Sequence, residues 1–430
     1  MNFAPSTAPA REVAAPAAAP PQREQLLHLL AEAAEFEHNL LCCYLYAAFS
    51  LKRGARAADL LPHEAQAVAR WHDTIMQVAL EEMTHLALVA NLAVALGARA
   101  HFNRPNLPVA PGYHPAGIVI ELAPFSLDTL EHFIFLERPQ DAPHADAPSF
   151  AAAADPDAPA RGARAGSALM PAATDYDSIA AFYEHIEQAL EALADAVGAP
   201  ALFCADPSRQ IGPELLTLPG LTRITDLRSA RWALETIVVQ GEGSPHAGDD
   251  SHFARFSGIR DELIALRAAR PAFTPALPAA RNPVQRVPVA EGRVQVRAPR
   301  AAAVMDAGNA VYNHLLRLLT QAWGRAQPDE AEQRLLIDGA VTLMQALAPI
   351  AEHLTTLPAD DAQPQVHAGL SFAMLRAVEP LVEDGHELGL LGQRCDELAR
   401  GIEALDEPAL ARSVHVLREV GTRLRSVDAG

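Results

Sequence analysis

Glu82 and His85 stand three residues apart in the stretch Trp71–Gly97, WHDTIMQVALEEMTHLALVANLAVALG. Its apolar positions run Trp71, Ile75, Val78, then Glu82 and His85, then Val89, Leu92 and Leu96, alternating steps of four and three that trace one buried helical face. A carboxylate in such a face is costly unless it is paired or binds a metal. Glu-x-x-His on an inward face is the pair that metal-binding helices supply in di-iron four-helix bundles. Upstream, the face Leu27, Leu30, Ala34, Glu37, Leu41, Tyr44, Ala48 sets Glu37 among apolar side chains, whereas Glu35 falls off it and reads as solvated. Tyr44 lies two turns beyond Glu37 on the same face. It is the candidate catalytic side chain, as a hydrogen-bond partner of a metal ligand; the plainer alternative is a core tyrosine. One carboxylate plus one Glu-x-x-His makes half of a di-iron site. Carboxylate and imidazole donors suit iron, with manganese as the alternative.

These residues need helices to hold them. Helical periodicity covers 24–52, closed by Gly54, and 65–97, closed by Gly97. The short connection makes the two antiparallel neighbours, so Glu37 and the Glu82/His85 pair, each mid-helix, meet at one depth. Residues 98–125 read as a long crossover with a β-like run at Ile118–Leu122; His101 and His114 in it read as surface histidines. Ser126 has the character of an N-cap for a short helix bearing Leu127, Leu130, Ile134 and Glu137, stopped by Arg138-Pro139. Residues 140–172 read as a flexible insertion. The third bundle helix, 176–197, admits two inward faces: one through Tyr183 and Glu187, one through Ile179, Ile186 and Leu193. Glu187 is the candidate ligand there, and Glu137 competes with it.

The fourth helix, 225–268, is expected to kink at Gln240–Pro245, with Ser251 capping the continuation. Glu242 and His252 flank that break. In one unbroken helix, residues ten apart are separated by about 15 Å, too far to share a metal. Gly241, Gly243, Pro245 and Gly248 make an unbroken helix unfavourable and let the chain fold back. Residues 1–22 read as a disordered Ala/Pro tail and 271–300 as a Pro-rich linker with a strand-like Val287–Val296. Residues 301–427 read as a further helical module, with helices at 303–323, 329–356, 367–381, 387–404 and 407–425. That module shows no metal-ligand cluster; His353 and His367 read as structural or surface residues.

The chain has 430 residues, half of them hydrophobic, and a formal net charge of −19. That length allows two domains or one elaborated domain. The negative charge argues against nucleic acid or an anionic membrane as a partner. Cys42, Cys43, Cys204 and Cys395 give no disulfide framework, and the adjacent Cys42 and Cys43 are expected to pack rather than bridge. The N-terminal residues lack a signal-peptide core, and no run of eighteen apolar residues suggests a membrane span. The default expectation is a cytoplasmic protein.

Four segments, FEHNLLCCYLYAAFSLK, EEMTHLALVANLAVALG, LAPFSLDTLEHFIFLERP and VVQGEGSPHAGDDSHFARF, resemble the ferritin-like domain of iminophenyl-pyruvate dimer synthase proteins over roughly residues 24–268. The resemblance implies an all-α, ferritin-like four-helix bundle with a long crossover insertion and an additional C-terminal helical module. It implies a first half-site of Glu37, Glu82 and His85 and a second of Glu187, Glu242 and His252, holding two iron ions. It departs from the ferritin pattern in one respect: helix four has no Glu-x-x-His. Members of that family couple two imino acids derived from an aromatic amino acid. The expected activity is therefore metal-dependent oxidation of a small amino-acid-derived molecule in secondary metabolism, with a homo-oligomer as the expected assembly. The alternatives are a ferroxidase and a non-catalytic scaffold that keeps the bundle without the chemistry.

Overall fold

The computed structural model describes residues 22–426 apart from 110–112, 115–117, 141, 143, 151–170, 172–175, 177, 243–249, 287–288 and 290–291. The expected N-terminal tail and most of the expected insertion at 140–172 lie outside the described residues.

Helix α1 (Arg23–Ser50) is rich in Ala and Leu and gives way to extended backbone at Leu51. Helix α2 (Pro62–Ala95) starts with proline at its first position, where the missing N–H costs nothing. The Leu61 N–H donates to the Glu64 carboxylate (2.8 Å), which satisfies one free amide of the first turn. The Arg23 guanidinium, at the start of α1, donates to the Leu96 carbonyl just past the end of α2 (2.7 Å), so the two helices run antiparallel. Helix α3 (Leu127–Leu136) is capped by Ser126 and helix α4 (Ile179–Val197) by Ser178, each accepting from an amide three residues on. After the single turn α5 (Ala199–Leu202) come α6 (Leu227–Glu242) and α7 (His252–Ala269), the latter capped by Ser251. Helices α1, α2, α4 and α6 pack as a closed four-helix bundle, with α3 and α7 paired alongside and α7 also on α2. The expected fourth helix is thus two elements: α6 completes the bundle and α7 starts anew at His252. Residues 243–249 between them lie outside the described set.

Two-residue strands β1 (Pro283–Val284) and β2 (Val294–Gln295) pair in parallel; Ile118–Leu122 carries no strand. The Pro-rich stretch is pinned on both sides. Lys52 donates to the Pro275 carbonyl (2.9 Å), Leu277 to that of Ser50 (2.8 Å), and Asn282 to that of Leu122 (2.9 Å). Helices α8 (Pro299–Ala322), α9 (Glu330–Leu354), α10 (Glu387–Glu403) and α11 (Ala411–Arg425) make a second four-helix arrangement: α8 on α9, α10 on α11, α9 on α11 and α8 on α10. One hydrophobic core runs without interruption from Leu26 to Leu424.

The helix expected at 367–381 does not form. This segment is an extended strap, and polar side chains from distant elements take its backbone groups. Asn309 accepts from the Ala373 N–H (3.0 Å) and Asn313 donates to the Ala373 carbonyl (2.8 Å). Asn106 bonds both backbone groups of Met374 (2.7 Å each), and Gln321 accepts from Leu381 (2.7 Å). At Gly369 the strap crosses Tyr46 so closely that a Cβ would lie 2.1 Å from the tyrosine oxygen, a position no residue with a side chain can occupy unshifted. The four cysteines are free, and Cys42 and Cys43 are buried. By length and composition α2 and α9 could cross a membrane, but the most apolar window of α2 is 89 % buried inside the protein.

Candidate metal centre

Glu37 comes from the middle of α1, Glu82 and His85 from the middle of α2, Glu137 from the end of α3, and His252 from the first residue of α7. All five are at most 5 % exposed. Donor atoms of Glu37, Glu82 and His85 lie within 4.8 Å of one another, and so do those of Glu82, Glu137 and His252. Glu82 belongs to both groups and stands between them.

The two histidines present themselves alike, with rings 5.6 Å apart. His85 Nδ1 faces Glu37 Oε2 and Glu82 Oε2, each at 3.2 Å, while Nε2 meets Gln240 Oε1 at 2.8 Å. An amide oxygen only accepts, so Nε2 carries the hydrogen. His252 Nε2 donates to Glu81 Oε2 (2.9 Å), and Arg255 holds that carboxylate from the other side (2.9 Å). His252 Nδ1 lies 3.0 Å from Glu82 Oε1 and 3.6 Å from Glu137 Oε2 without an aligned hydrogen bond to either. Anchoring the outer ring nitrogen fixes the tautomer and leaves the inner one as a donor for a cation. Two tyrosines complete the frame: Tyr183 of α4 donates to Glu37 Oε1 and Tyr44 of α1 to Glu137 Oε1.

The electrostatics follow from burying this many charges together. Burial, aided by the neighbouring Glu82 charge, raises the Glu37 carboxyl to about 8. Burial would also raise Glu82, but His85 and His252 outweigh it and hold that carboxyl well below the usual range. His85 is pushed down by burial yet lifted to about 10 by Glu82 and Glu37. His252 rises likewise against burial, through Glu137, Glu81 and Glu82. Burial and the adjacent carboxylates keep Tyr44 and Tyr183 protonated. Three carboxylates and two imidazoles thus share one buried site. A divalent cation that binds such a set displaces protons from its donors. The donor types and the unpartnered His252 Nδ1 fit a metal of the iron or manganese kind. A small pocket reaches the cluster between apolar Leu40, Ile179, Ile237 and Val238.

Glu37, Glu82, His85 and His252 are brought together, and Tyr44 touches the same cluster. Glu187 is not: it sits on the outer side of α4, 40 % exposed, 3.6 Å from Arg231. Helix α4 turns Phe182, Tyr183, Ile186 and Leu190 inward instead, and Glu137 stands in the cluster. The side chain of Glu242 lies outside the described residues. Sequence reasoning missed Glu81, Tyr183, Gln240 and Arg255. Glu81 adjoins Glu82, and Gln240 ends the run before the glycines; neither carries a motif of its own.

The Ferritin-like family profile matches residues 30–261. The chain is 28 % identical to 2-imino-3-(indol-3-yl)propanoate dimerase of Chromobacterium violaceum, over 92 % of this chain and 39 % of that protein. It is 24 % identical to dichlorochromopyrrolate synthase of Lentzea aerocolonigenes, over 78 % of this chain and 35 % of that one. It therefore spans well under half the length of either relative. Both names agree with the resemblance to iminophenyl-pyruvate dimer synthases read from the sequence. A ferritin-like protein from Caulobacter vibrioides aligns over 81 % of this chain and 97 % of its own, with 18 % identity and a TM-score of 0.46. The profile spans more than half of the chain, including most of α1 and all of α2, α4 and α6, which close the bundle, so the chain belongs to the Ferritin-like family.

Proposed function

We propose that this protein is a metal-dependent oxidoreductase that oxidises a small amino-acid-derived molecule, an imino acid by analogy with the relatives' names, with dioxygen or peroxide as electron acceptor. The observation that carries this reading is the doubled group around Glu82, in which Glu37 and His85 make up one set with it and Glu137 and His252 the other. Glu37, Glu82, His85, Glu137 and His252 would hold two iron ions. Glu242 is carried forward as a further proposed donor, and Glu137 takes the position expected for Glu187. When bound, the metals supply Lewis acidity and electron transfer with open positions for small reactants.

The chain's own residues do the rest. Gln240 and Glu81 keep both imidazoles oriented inward. Tyr44 and Tyr183 hold their protons and donate to Glu137 and Glu37, which sets how each carboxylate presents its other oxygen. Tyr44 is the proposed catalytic side chain in this limited sense, a proton held at one hydroxyl beside the centre. Apolar Leu40, Ile179, Ile237 and Val238 line the approach to the cluster.

The test is metal analysis of protein purified without added metal, followed by oxygen-consumption assays with indole-derived and phenyl-derived imino acids. Two equivalents of iron and imine-dependent oxygen uptake are expected. Protein that takes up neither iron nor manganese is instead a scaffold. Protein that oxidises ferrous iron without any effect of imino acid is a ferroxidase.

A further inference from the structure

A second cavity, of about 920 Å³, lies between α8, α10, the 371–381 strap and the β1–β2 pair, and shares no lining residue with the metal cluster. That volume is in the range of small-molecule sites. Its charge runs against the rest of the protein. In a chain of net charge −19, Arg286, Arg293, Arg317, Arg376 and Arg394 line it, with Asp306 as its one acid among the described residues. Arg394 pairs with Glu397 at 3.0 Å. Among the described residues no carboxylate pairs with the other four.

Three of those four are held by backbone carbonyls, which fix them without cancelling their charge. Arg317 donates to Glu379 (2.6 Å), Arg376 to Leu375 (2.6 Å) and Arg293 to Pro108 (3.3 Å). Arg293 Nε is buried without a partner. His314 also lines the cavity, where burial first, and then Arg394 and Arg317, push it down to about 4. The rim is apolar: Leu375 and Leu390 are 55 % and 53 % exposed and stand at the same opening.

We propose that this cavity is a second binding site, for a small organic acid whose carboxylate lies among the arginines and whose apolar body lies against Leu375 and Leu390. Arginine's planar fork suits a carboxylate, and exposed leucines at the mouth of a polar cavity call for an apolar ligand portion. The site stands whether or not the cluster in the bundle binds metal.

The experiment is calorimetric titration of the full chain with 3-phenylpropionate, its neutral counterpart 3-phenylpropanol, and inorganic phosphate. Wild type should bind 3-phenylpropionate, with the alcohol and phosphate each at least about tenfold weaker, the loss expected for one charge-assisted contact or for the buried apolar part. The double variant Arg286→Gln/Arg376→Gln changes only exposed side chains and should weaken 3-phenylpropionate by about tenfold or more. Asp306→Asn removes the one acid and should tighten it about twofold or more, a gain that misfolding cannot mimic. No binding by wild type, equal binding by the double variant, or weaker binding by Asp306→Asn overturns the proposal. Equal affinity for phosphate or for the alcohol overturns the organic-acid assignment.

Discussion

Glu82 stands between two imidazoles, His85 at 3.2 Å and His252 at 3.0 Å, with all three side chains at most 2 % exposed. Removing it leaves both histidines less compensated in a buried site, a loss of about 3–5 kcal/mol for a broken buried pair. Glu82→Ala is therefore expected to lower the denaturant midpoint of the metal-free protein by an amount of that order and to abolish metal retention. Glu187→Ala, exposed beside Arg231, should leave metal content unchanged and stability within about 0.5 kcal/mol. Equal metal in wild type and Glu82→Ala would end the metal reading. His314 gives a second test. It is held at about 4 in the folded protein, against about 6.5 in an unfolded chain. Below pH 6.5 the unfolded chain takes up the proton first, so the contribution of neutral His314 is full above about pH 6.5 and is lost as pH falls toward 4. The stake is about 3 kcal/mol. Urea midpoints at pH 7 and pH 4.5 should fall further in wild type than in His314→Gln; an equal fall would refute the shift.

At the scale of elements, the first half of the cluster was legible because α1 and α2 are long, periodic and carry acids in faces that are otherwise apolar. Four inward positions of α2, Val78, Glu82, His85 and Val89, are each at most 2 % exposed. The second half was harder to read because its donors sit where periodicity gives out: Glu137 just past the end of α3 and His252 at the first residue of α7. Helix α4 offered two faces one residue apart, and burial of Ile186 and Leu193 decided against Glu187. The strap at 367–381 looked helical because only Gly369 and Pro380, near its two ends, work locally against a helix; side chains from α8 and the crossover decide its conformation. Helix α6 contributes through an absence: a Cβ on Gly241 would lie 3.1 Å from Glu137 Oε2. That carboxylate is already held by Tyr44, so Gly241→Ala should displace it. The expected outcome is a metal-to-protein ratio reduced by up to one equivalent, with the unfolding midpoint nearly unchanged. A full complement of metal in Gly241→Ala would count against Glu137 as a ligand.

On the scale of the whole molecule, the sequence suggested a ferritin-like part at 24–270, a linker and a separate module at 301–427. The two helical groups are each recognisable, but what lies between them is continuous. Tyr312 of α8 bonds His38 of α1 (2.7 Å) and Arg104 of the crossover (3.1 Å), and Trp323 Nε1 donates to Asn91 of α2 (3.0 Å). Such contacts join distant segments and leave no trace in local periodicity. With the core shared, calorimetry should show one cooperative unfolding transition; two well-separated transitions would favour the modular reading. The spacing of the donors along the chain has a further consequence, for the order of events at the ribosome. Glu37 and His85 are 48 residues apart, whereas His252 meets Glu81 across 171. Contacts between distant residues form late, and chains fold from the N-terminus during synthesis. A nascent chain released before α7 emerges already owns Glu37, Glu82 and His85 but lacks His252. The group of Glu37, Glu82 and His85 is therefore complete before the group of Glu82, Glu137 and His252, and any ion that needs both groups waits for α7.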